Sequence, residues 1–204
     1  MARQTGRQHR GRAATGNPAN RFHAVHSEAV DDGWTREEDV THLATTLSVD
    51  SSRSVITYNQ SPDVPFDRSI NPYRGCEHGC IYCFARPTHA WLDLSPGLDF
   101  ETQLFYKPDA ASLLSAELSR KGYRCAPLAI GANTDAYQPA ERQLGVTRAL
   151  LEVLAETRHP CVIITKSALI ERDTQLLASM AGQGLLQVMV SLTTLDRQLA
   201  RRME

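Results

Sequence analysis

The chain has 204 residues, of which 42% are hydrophobic and 22% charged, and its net charge is −1. This length and composition are typical of a globular domain with one core. The near-neutral charge excludes a strong general attraction to nucleic acid or to an acidic membrane surface. The sequence contains no apolar run of about 18 residues, which a transmembrane helix would need, and no apolar segment of a secretory signal near its start.

Five cysteines are present, and three of them fall within eight residues. An odd number of cysteines, crowded in this way, disfavours the disulfide framework of a small secreted protein. We therefore expect a cytoplasmic protein that makes no contact with a membrane.

Residues 1–50 differ in character from the rest of the chain. The stretch Met1–Ser27 holds five arginines, three histidines and no acid, whereas residues 28–39 hold six acids. Because apolar periodicity is weak throughout, we predict a disordered N-terminal arm over 1–50 and a folded core over 51–204. A solvated tail is the simpler interpretation of the basic stretch, and contact with nucleic acid is the alternative.

From residue 51 onward the sequence predicts strands and helices in alternation. Turn-forming residues over 51–75 lead into a first short strand at 69–73, and 100–107 is predicted to be extended. Three helices are predicted at 110–122 (capped by Asp109), 141–159 and 169–184. Three apolar strands are predicted at 126–132, 161–166 and 186–192. Apolar strands alternating with helices indicate an α/β fold with a parallel sheet.

In such sheets, ligands bind where the strands end. Polar segments follow all four predicted strands of the sheet. They are the cysteine loop, "GANTDAY" at 131–137, "TKS" at 165–167 and "SLTT" at 191–194. The sequence therefore predicts that these segments meet in one site.

The cysteine loop has the pattern C-x3-C-x2-C, formed by Cys76, Cys80 and Cys83. Structural zinc usually takes four ligands from two separated pairs, and adding His78 would crowd all four into one short loop. Cys125 and Cys161 stand alone and are interpreted as small buried hydrophobes. Three thiolates suit a [4Fe–4S] cluster with one open iron, and zinc or an inert loop is the alternative.

The segment "CEHGCIYC", with Tyr82 directly before the third cysteine, resembles the cluster motif of the radical S-adenosylmethionine (SAM) superfamily. Residues 60–204, including "GANTDAYQPAE", "ITKSALIERD" and "VSLTTLD", resemble a narrower group related to spore photoproduct lyase, the DNA repair photolyase-like radical SAM proteins. The resemblance implies a partial (β/α) barrel of the radical SAM type with about four βα units. The chain stops in "DRQLARRME" without a helix cap, so we expect a barrel that is incomplete at its C-terminus.

The resemblance also implies a chemistry for the loop. Cys76, Cys80 and Cys83 would bind the cluster, whose open iron chelates SAM and whose electron cleaves SAM to a 5′-deoxyadenosyl radical. That radical would abstract hydrogen from a substrate. Tyr82 would lie near the adenine of SAM, with ordinary packing as the alternative.

Further SAM contacts are implied after the later strands. Asn133, Thr134 and Asp135 would hold the SAM amino group, although this segment departs from the usual glycine-rich form, and a turn stabilised by Asx hydrogen bonds is the alternative. Lys166 would pair with the SAM carboxylate, with a solvated lysine as its alternative. Ser191 would contact the carboxylate or the ribose.

Partners follow from the same resemblance: a reductant such as flavodoxin or ferredoxin, and a nucleic-acid lesion as substrate of a lyase-like reaction. The spore lyase uses a cysteine near the end of its second strand, and 131–137 contains none, which argues against that chemistry. Arg74, Arg86 and His89 flank the loop and are candidates for balancing cluster charge, for meeting an anionic substrate or for plain solvation. The rival from another class is a non-catalytic zinc- or cluster-binding interaction protein.

Overall fold

The computed structural model describes residues 13–22 and 44–204. Its strands are β1 (Thr46–Val49), β2 (Ile56–Tyr58), β3 (Arg68–Ile70), β4 (Tyr73–Arg74), β5 (Gln103–Tyr106), β6 (Leu128–Ile130), β7 (Cys161–Thr165) and β8 (Leu186–Val190). Its helices are α1 (Leu98–Thr102), α2 (Ala110–Leu118), α3 (Glu141–Leu144), α4 (Val146–Glu156), α5 (Thr174–Gly182) and α6 (Arg197–Met203). Two 3₁₀ helices lie at Arg86–Leu92 and Ala168–Asp173.

The main sheet has five strands in the order β2-β3-β6-β7-β8. The strands β3, β6, β7 and β8 are mutually parallel, and β2 pairs antiparallel with β3 at the edge. This parallel arrangement was predicted from the apolar character of the strands and is confirmed. It brings the ends of β3, β6, β7 and β8 to the same edge of the sheet.

A second sheet of three strands has the order β1-β5-β4. Its strand β1 pairs parallel with β5, and β4 pairs antiparallel with β5. The fold is therefore mixed α/β with two sheets and helices, and the described residues form no closed barrel. Among the described residues, no helix has both the length and the apolar composition needed to cross a membrane.

The core lies between the main sheet and the helices α2, α4 and α5. Helix α4 packs one face against this core, where Thr147, Leu150, Leu151 and Leu154 are all buried. The continuous helix predicted for 141–159 is wrong, because Gly145 adopts a left-handed conformation with φ of 63° and separates α3 from α4. A left-handed residue ends the helical hydrogen-bond ladder and is tolerated well only by glycine.

Three further predicted elements differ in their limits. The predicted strand 69–73 is split at Pro72, which has no N–H to donate to a ladder. The predicted extended segment 100–107 begins with the last residues of α1 and is extended only over β5. The predicted helix 169–184 starts as the 3₁₀ helix and becomes α-helical at Thr174.

Two parts of the arm that was predicted to be disordered are ordered. Residues 46–49 form β1, and residues 13–22 lie against the segment 86–101 through several hydrogen bonds. The structure differs from the prediction in these stretches, and the rest of the arm lies outside the described residues.

Candidate functional site

The cysteine loop begins directly after β4 and is entered through Gly75. Gly75 has φ of +78°, and a Cβ atom there would lie 2.9 Å from the His89 ring and 2.9 Å from the Phe100 carbonyl. Glycine is therefore required at the entry, for its conformation and for the lack of space. The next residue, Cys76, donates its N–H to the Phe100 carbonyl at 2.9 Å.

The side chain of Gln138 holds the backbone on both sides of Cys76. Its Oε1 accepts the Glu77 N–H at 2.9 Å, and its Nε2 donates to the Gly75 carbonyl at 3.2 Å. Gln138 is fully buried. Sequence analysis missed this residue, although it follows "GANTDAY" directly and a glutamine in an apolar core signals that its amide has buried partners.

Arg86 holds the middle of the loop in a similar way. Its Nη2 donates to the Gly79 carbonyl at 2.8 Å and to the Cys80 carbonyl at 3.0 Å, and its Nε donates to the same Cys80 carbonyl. The same Nη2 pairs with the buried carboxylate of Glu101 at 2.6 Å. Of the roles considered for Arg86, solvation is wrong, because its side chain is only 14% exposed and donates to the loop backbone.

All five cysteines are free. In the loop, Cys76 and Cys80 are each 7% exposed and Cys83 is half-buried. The prediction that Cys161 is a buried hydrophobe is confirmed, whereas the same prediction for Cys125 is wrong because that residue is exposed.

Burial raises the pKa of the Cys76 thiol to about 12. Hydrogen bonds from the backbone N–H groups of His78 and Asp135 lower this pKa, but burial outweighs them. A buried thiol of this kind becomes a thiolate only when a cation replaces its proton. Hydrogen bonds from N–H groups to cysteine sulfurs are also one way in which proteins set the reduction potential of an iron–sulfur cluster.

In the described part of the chain, no group of three or more His, Cys, Asp or Glu side chains is arranged to hold a metal ion. The three loop cysteines nevertheless form a donor set of the type that iron–sulfur clusters use, with three free thiols on one loop. The donor atoms of the loop are therefore of the type that an iron–sulfur cluster needs. Within the described residues, its side chains do not surround a single metal ion.

The segment 131–137 uses its polar side chains to hold neighbouring strands. Thr134, which is 3% exposed, donates its hydroxyl to the Tyr73 carbonyl at 2.7 Å. The backbone N–H of Asn133 donates to the Asn71 side chain at 2.8 Å. These contacts join the segment to residues 71–73 and are not Asx turns of Asn133 or Thr134. Contact of Asn133 and Thr134 with SAM stays a prediction.

Asp135 lies at the centre of the edge where the strands end. Its Oδ1 accepts the Tyr137 N–H in an Asx turn and the Thr165 hydroxyl at 2.7 Å, while its Oδ2 accepts the Lys166 N–H at 2.8 Å. His78 Nε2 of the cysteine loop is 3.5 Å from Oδ2. Burial opposes ionisation, but neighbouring donors, led by the His78 ring and the Thr165 hydroxyl, keep the pKa of Asp135 below its usual value.

Lys166 and Tyr82 come from different segments and meet at this edge. The Lys166 ammonium lies 2.5 Å from the Tyr82 hydroxyl and 5.0 Å from the centre of its ring, and it pairs with the Glu204 carboxylate. Burial lowers the pKa of Lys166, but its contacts with Glu204 and Tyr82 outweigh burial and raise the pKa above its usual value. The Cys80 thiol adds to this effect, so the ammonium is directed toward the cysteine loop.

The last predicted segment also reaches the site. The Tyr82 hydroxyl is 2.7 Å from the Thr193 hydroxyl, and the Ser191 N–H donates to the Thr165 carbonyl at 2.9 Å. Ser191 is exposed, and its contact with β7 is made through the backbone. The four polar segments therefore lie together, as predicted. The cysteine loop, however, follows β4 of the second sheet and not a strand of the main parallel sheet.

The other two residues that flank the loop have structural contacts. His89 is buried, its Nε2 lies 2.9 Å from the Gln103 carbonyl, and burial lowers its pKa, so the ring is neutral at physiological pH. Arg74 pairs with Asp50 at 2.9 Å. A neutral His89 ring cannot balance a negative charge, so that role, considered for it from the sequence, is wrong.

A cavity of about 520 Å³ lies beside the cysteine loop and away from the strand ends. It is lined by Ala13, Ala14, Thr15, Gly16, Asn17, Pro18, Ile81, Arg86, Pro96 and Gly97. The residues predicted to contact SAM do not line it.

Comparison with known proteins gives relatives but no assigned activity. No family model matches the chain, and no solved structure matches it. Uncharacterized proteins of Mycobacterium bovis and Mycobacterium tuberculosis are 44% identical over 141 residues, which is 69% of this chain and 42% of each relative. An uncharacterized protein of Methanocaldococcus jannaschii is 30% identical over 107 residues, 52% of this chain and 38% of that protein. The chain thus spans less than half the length of these curated relatives.

Proposed function

We propose that this chain carries the cluster-binding site of a radical SAM protein related to spore photoproduct lyase, on a partial (β/α) barrel of that type. The observation that carries the proposal is the meeting of the cysteine loop, through its Tyr82 and His78, with Lys166 and Asp135 where parallel strands end. Cys76, Cys80 and Cys83 would hold a [4Fe–4S] cluster. When bound, the cluster would supply the electron that cleaves SAM to methionine and a 5′-deoxyadenosyl radical, which takes a hydrogen atom from the substrate.

Lys166 would bind the carboxylate of SAM. Its ammonium already pairs with the carboxylate of Glu204, which supports this assignment because the same point charge would accept a ligand carboxylate in place of Glu204. Tyr82 is 45% exposed, so part of its ring remains available to an adenine while its hydroxyl orients the lysine.

Asp135 would act by holding other residues of the site in place. Its carboxylate holds the Thr165 hydroxyl and the Lys166 N–H on one side and faces His78 on the other. Because its side chain is only 8% exposed, we assign it to positioning the lysine and the cysteine loop relative to each other. Asn133, Thr134 and Ser191 would complete the same wall of the site.

The substrate class and the partners follow from the resemblance alone. We propose a cytoplasmic, lyase-like enzyme that acts on a nucleic-acid lesion and receives electrons from a flavodoxin or a ferredoxin. The net charge of −1 gives this substrate class no electrostatic support. In a protein with the full length of the relatives, stimulation of 5′-deoxyadenosine formation by single-stranded or duplex DNA would support it, and no stimulation by any nucleic acid would refute it.

Anaerobic reconstitution tests the cluster itself. The purified chain is incubated with iron and sulfide, and we expect about four irons and four sulfides per chain with an absorbance band at about 400 nm. The Cys76→Ala/Cys80→Ala/Cys83→Ala variant should lose the band and the iron. The Cys125→Ala variant is the matched control, because that cysteine is exposed and outside the loop, and it should keep both.

Metal analysis of the same samples distinguishes the rival function. Binding of one zinc with neither iron nor sulfide would replace the proposal with a non-catalytic zinc-binding protein. An absorbance band that persists in the triple variant would refute the assignment of the three cysteines.

A further inference from the structure

Residues 13–22, here called the N-terminal strap, lie along the segment 86–101 that follows the cysteine loop. The Gly16 carbonyl accepts the Leu98 N–H at 3.2 Å, and the Pro18 carbonyl accepts the Ser95 hydroxyl at 2.9 Å. Asn20 is only 3% exposed, and its side-chain amide donates to the Ala90 carbonyl at 3.2 Å. The strap is thus seated by specific polar contacts along its whole length.

The strap also reaches a buried charge. The Glu101 carboxylate is fully buried and accepts the Ala13 N–H at 3.2 Å and the Ala14 N–H at 3.0 Å. A buried carboxylate depends strongly on such donors, since each replaces hydration lost on burial. Removing the strap would take two donors from this carboxylate.

The same carboxylate orients the arginine that holds the cysteine loop. Arg86 Nη2 contacts Glu101 at 2.6 Å, and this nitrogen also donates to the carbonyls of Gly79 and Cys80. A continuous series of short polar contacts therefore runs from the strap through Glu101 and Arg86 to the backbone of Cys80.

We propose that the N-terminal strap is a positioning element for the cysteine loop, and that Arg86 is the positioning residue through which it acts. When the strap is seated, Glu101 holds the guanidinium against the loop carbonyls and the Cys80 thiol stays buried. When the strap is displaced, Arg86 loses its fixed orientation and the loop opens around Cys80 and Cys83. The backbone of Cys76 is held separately by Gln138 and is unaffected. Where it concerns a bound cluster, this inference rests on the proposed function; where it concerns thiol exposure, it does not.

A single methyl group at Gly97 can displace the strap while the side chains of Glu101 and Arg86 stay unchanged in sequence. Because the Gly97 carbonyl also accepts from Arg86 Nη1 at 3.3 Å, a second variant that changes only the strap is used beside it. A Cβ atom at Gly97 would lie 2.1 Å from the Gly16 carbonyl oxygen and 2.6 Å from the Pro18 Cδ, so Gly97→Ala forces the strap away. The matched control is Gly16→Ala, a change within the strap whose added Cβ meets nothing within 4 Å. A second variant, Ala14→Pro, acts by another route because it removes the N–H that Glu101 accepts.

The readout is the rate at which iodoacetamide alkylates each cysteine of the whole, metal-free chain, measured by mass spectrometry. In Gly97→Ala and Ala14→Pro we expect alkylation of Cys80 to accelerate by on the order of tenfold, because local opening exposes a buried group. Cys83 should accelerate with it, whereas Cys76 should keep its rate. The exposed Cys125 serves as the internal reference in every sample. Unchanged rates at Cys80 in both variants would overturn the proposal.

A double-variant cycle tests the route through Arg86. In Arg86→Lys, which keeps the charge but lacks the fork of donors, Cys80 should already react faster, and adding Gly97→Ala should change the rate no further. Additive effects of the two changes would show that the strap does not act through Arg86, and would overturn that part of the proposal.

A reconstituted sample separates this inference from the proposed function. If the wild-type chain takes up iron and sulfide, Gly97→Ala should take up less of both, and Gly16→Ala should match the wild type; equal uptake in Gly97→Ala would refute the role in cluster binding. If the wild-type chain takes up no iron, the proposed function fails while the alkylation rates still decide whether the strap holds the loop.

Discussion

Replacing Gln138 with leucine tests whether a single buried amide holds the first cysteine of the loop. The side chain of Gln138 is fully buried and bonds the backbone immediately before and after Cys76. Leucine has a similar size but can neither accept the Glu77 N–H nor donate to the Gly75 carbonyl. Both of these backbone groups belong to buried residues, so water does not replace the amide freely.

The magnitude follows from the number of bonds lost. Each neutral hydrogen bond contributes about 1 kcal/mol net, and leaving its buried partner unpaired costs about 1–3 kcal/mol. Two partners are affected, while the leucine side chain recovers part of the loss through apolar burial. We therefore expect the free energy of unfolding to fall by about 2–5 kcal/mol, a large part of the total for a domain of this size.

Urea unfolding followed by circular dichroism measures this loss. The matched control is Gln143→Leu, the same substitution at an exposed glutamine of α3, which should change the free energy of unfolding by less than about 0.5 kcal/mol. In the same Gln138→Leu samples, alkylation of Cys76 should accelerate while that of Cys80 does not. A loss of stability below about 1 kcal/mol, with an unchanged rate at Cys76, would refute the reasoning.

Two further predictions concern the frame around the site. Gly131→Ala should destabilise the fold by about 3 kcal/mol or more, because a Cβ at φ of +80° would lie 2.5 Å from the Ile164 carbonyl oxygen. The control is Gly182→Ala, where the added Cβ meets nothing within 4 Å. Equal urea midpoints for the two variants would contradict the prediction. Burial raises the pKa of Asp50, but hydrogen bonds led by that from Lys107 lower it to about 2. Its contribution to stability is therefore present above the ordinary pKa of 3.8 and lost as the pH falls toward 2. Urea midpoints of wild type and Asp50→Asn should differ most at neutral pH and converge in acid, and a constant difference would refute this assignment.

The main sheet was predictable because its strands are locally distinctive. The segments β6 and β7 are short apolar runs between helical patterns, and this alternation indicates a parallel sheet covered by helices. The second sheet was not predictable in the same way. Its partners β1, β4 and β5 are short and distant in sequence, so their pairing is determined by tertiary contacts rather than by local preference.

Strand β8 shows the limit of a periodicity argument. Its apolar sequence predicted a strand, which is confirmed, but four of its five residues are exposed, including Val188, Met189 and Val190. The residues of a strand determine which surfaces are apolar, and only the surrounding elements determine which of these surfaces is covered.

The sequence by itself determined the candidate residues of the site: three thiols in one loop, and a lysine and an aspartate placed after apolar strands. It could do so because these residue types and their spacing are local properties of the chain. Only the tertiary structure decided what holds them in place. Gln138, Arg86 and the N-terminal strap act on backbone groups of the loop, and Asp135 joins the ends of two strands. Backbone carbonyl and N–H groups are the same at every position of a sequence, so a side chain that bonds to them leaves no local pattern, and its partner is determined only when the chain folds.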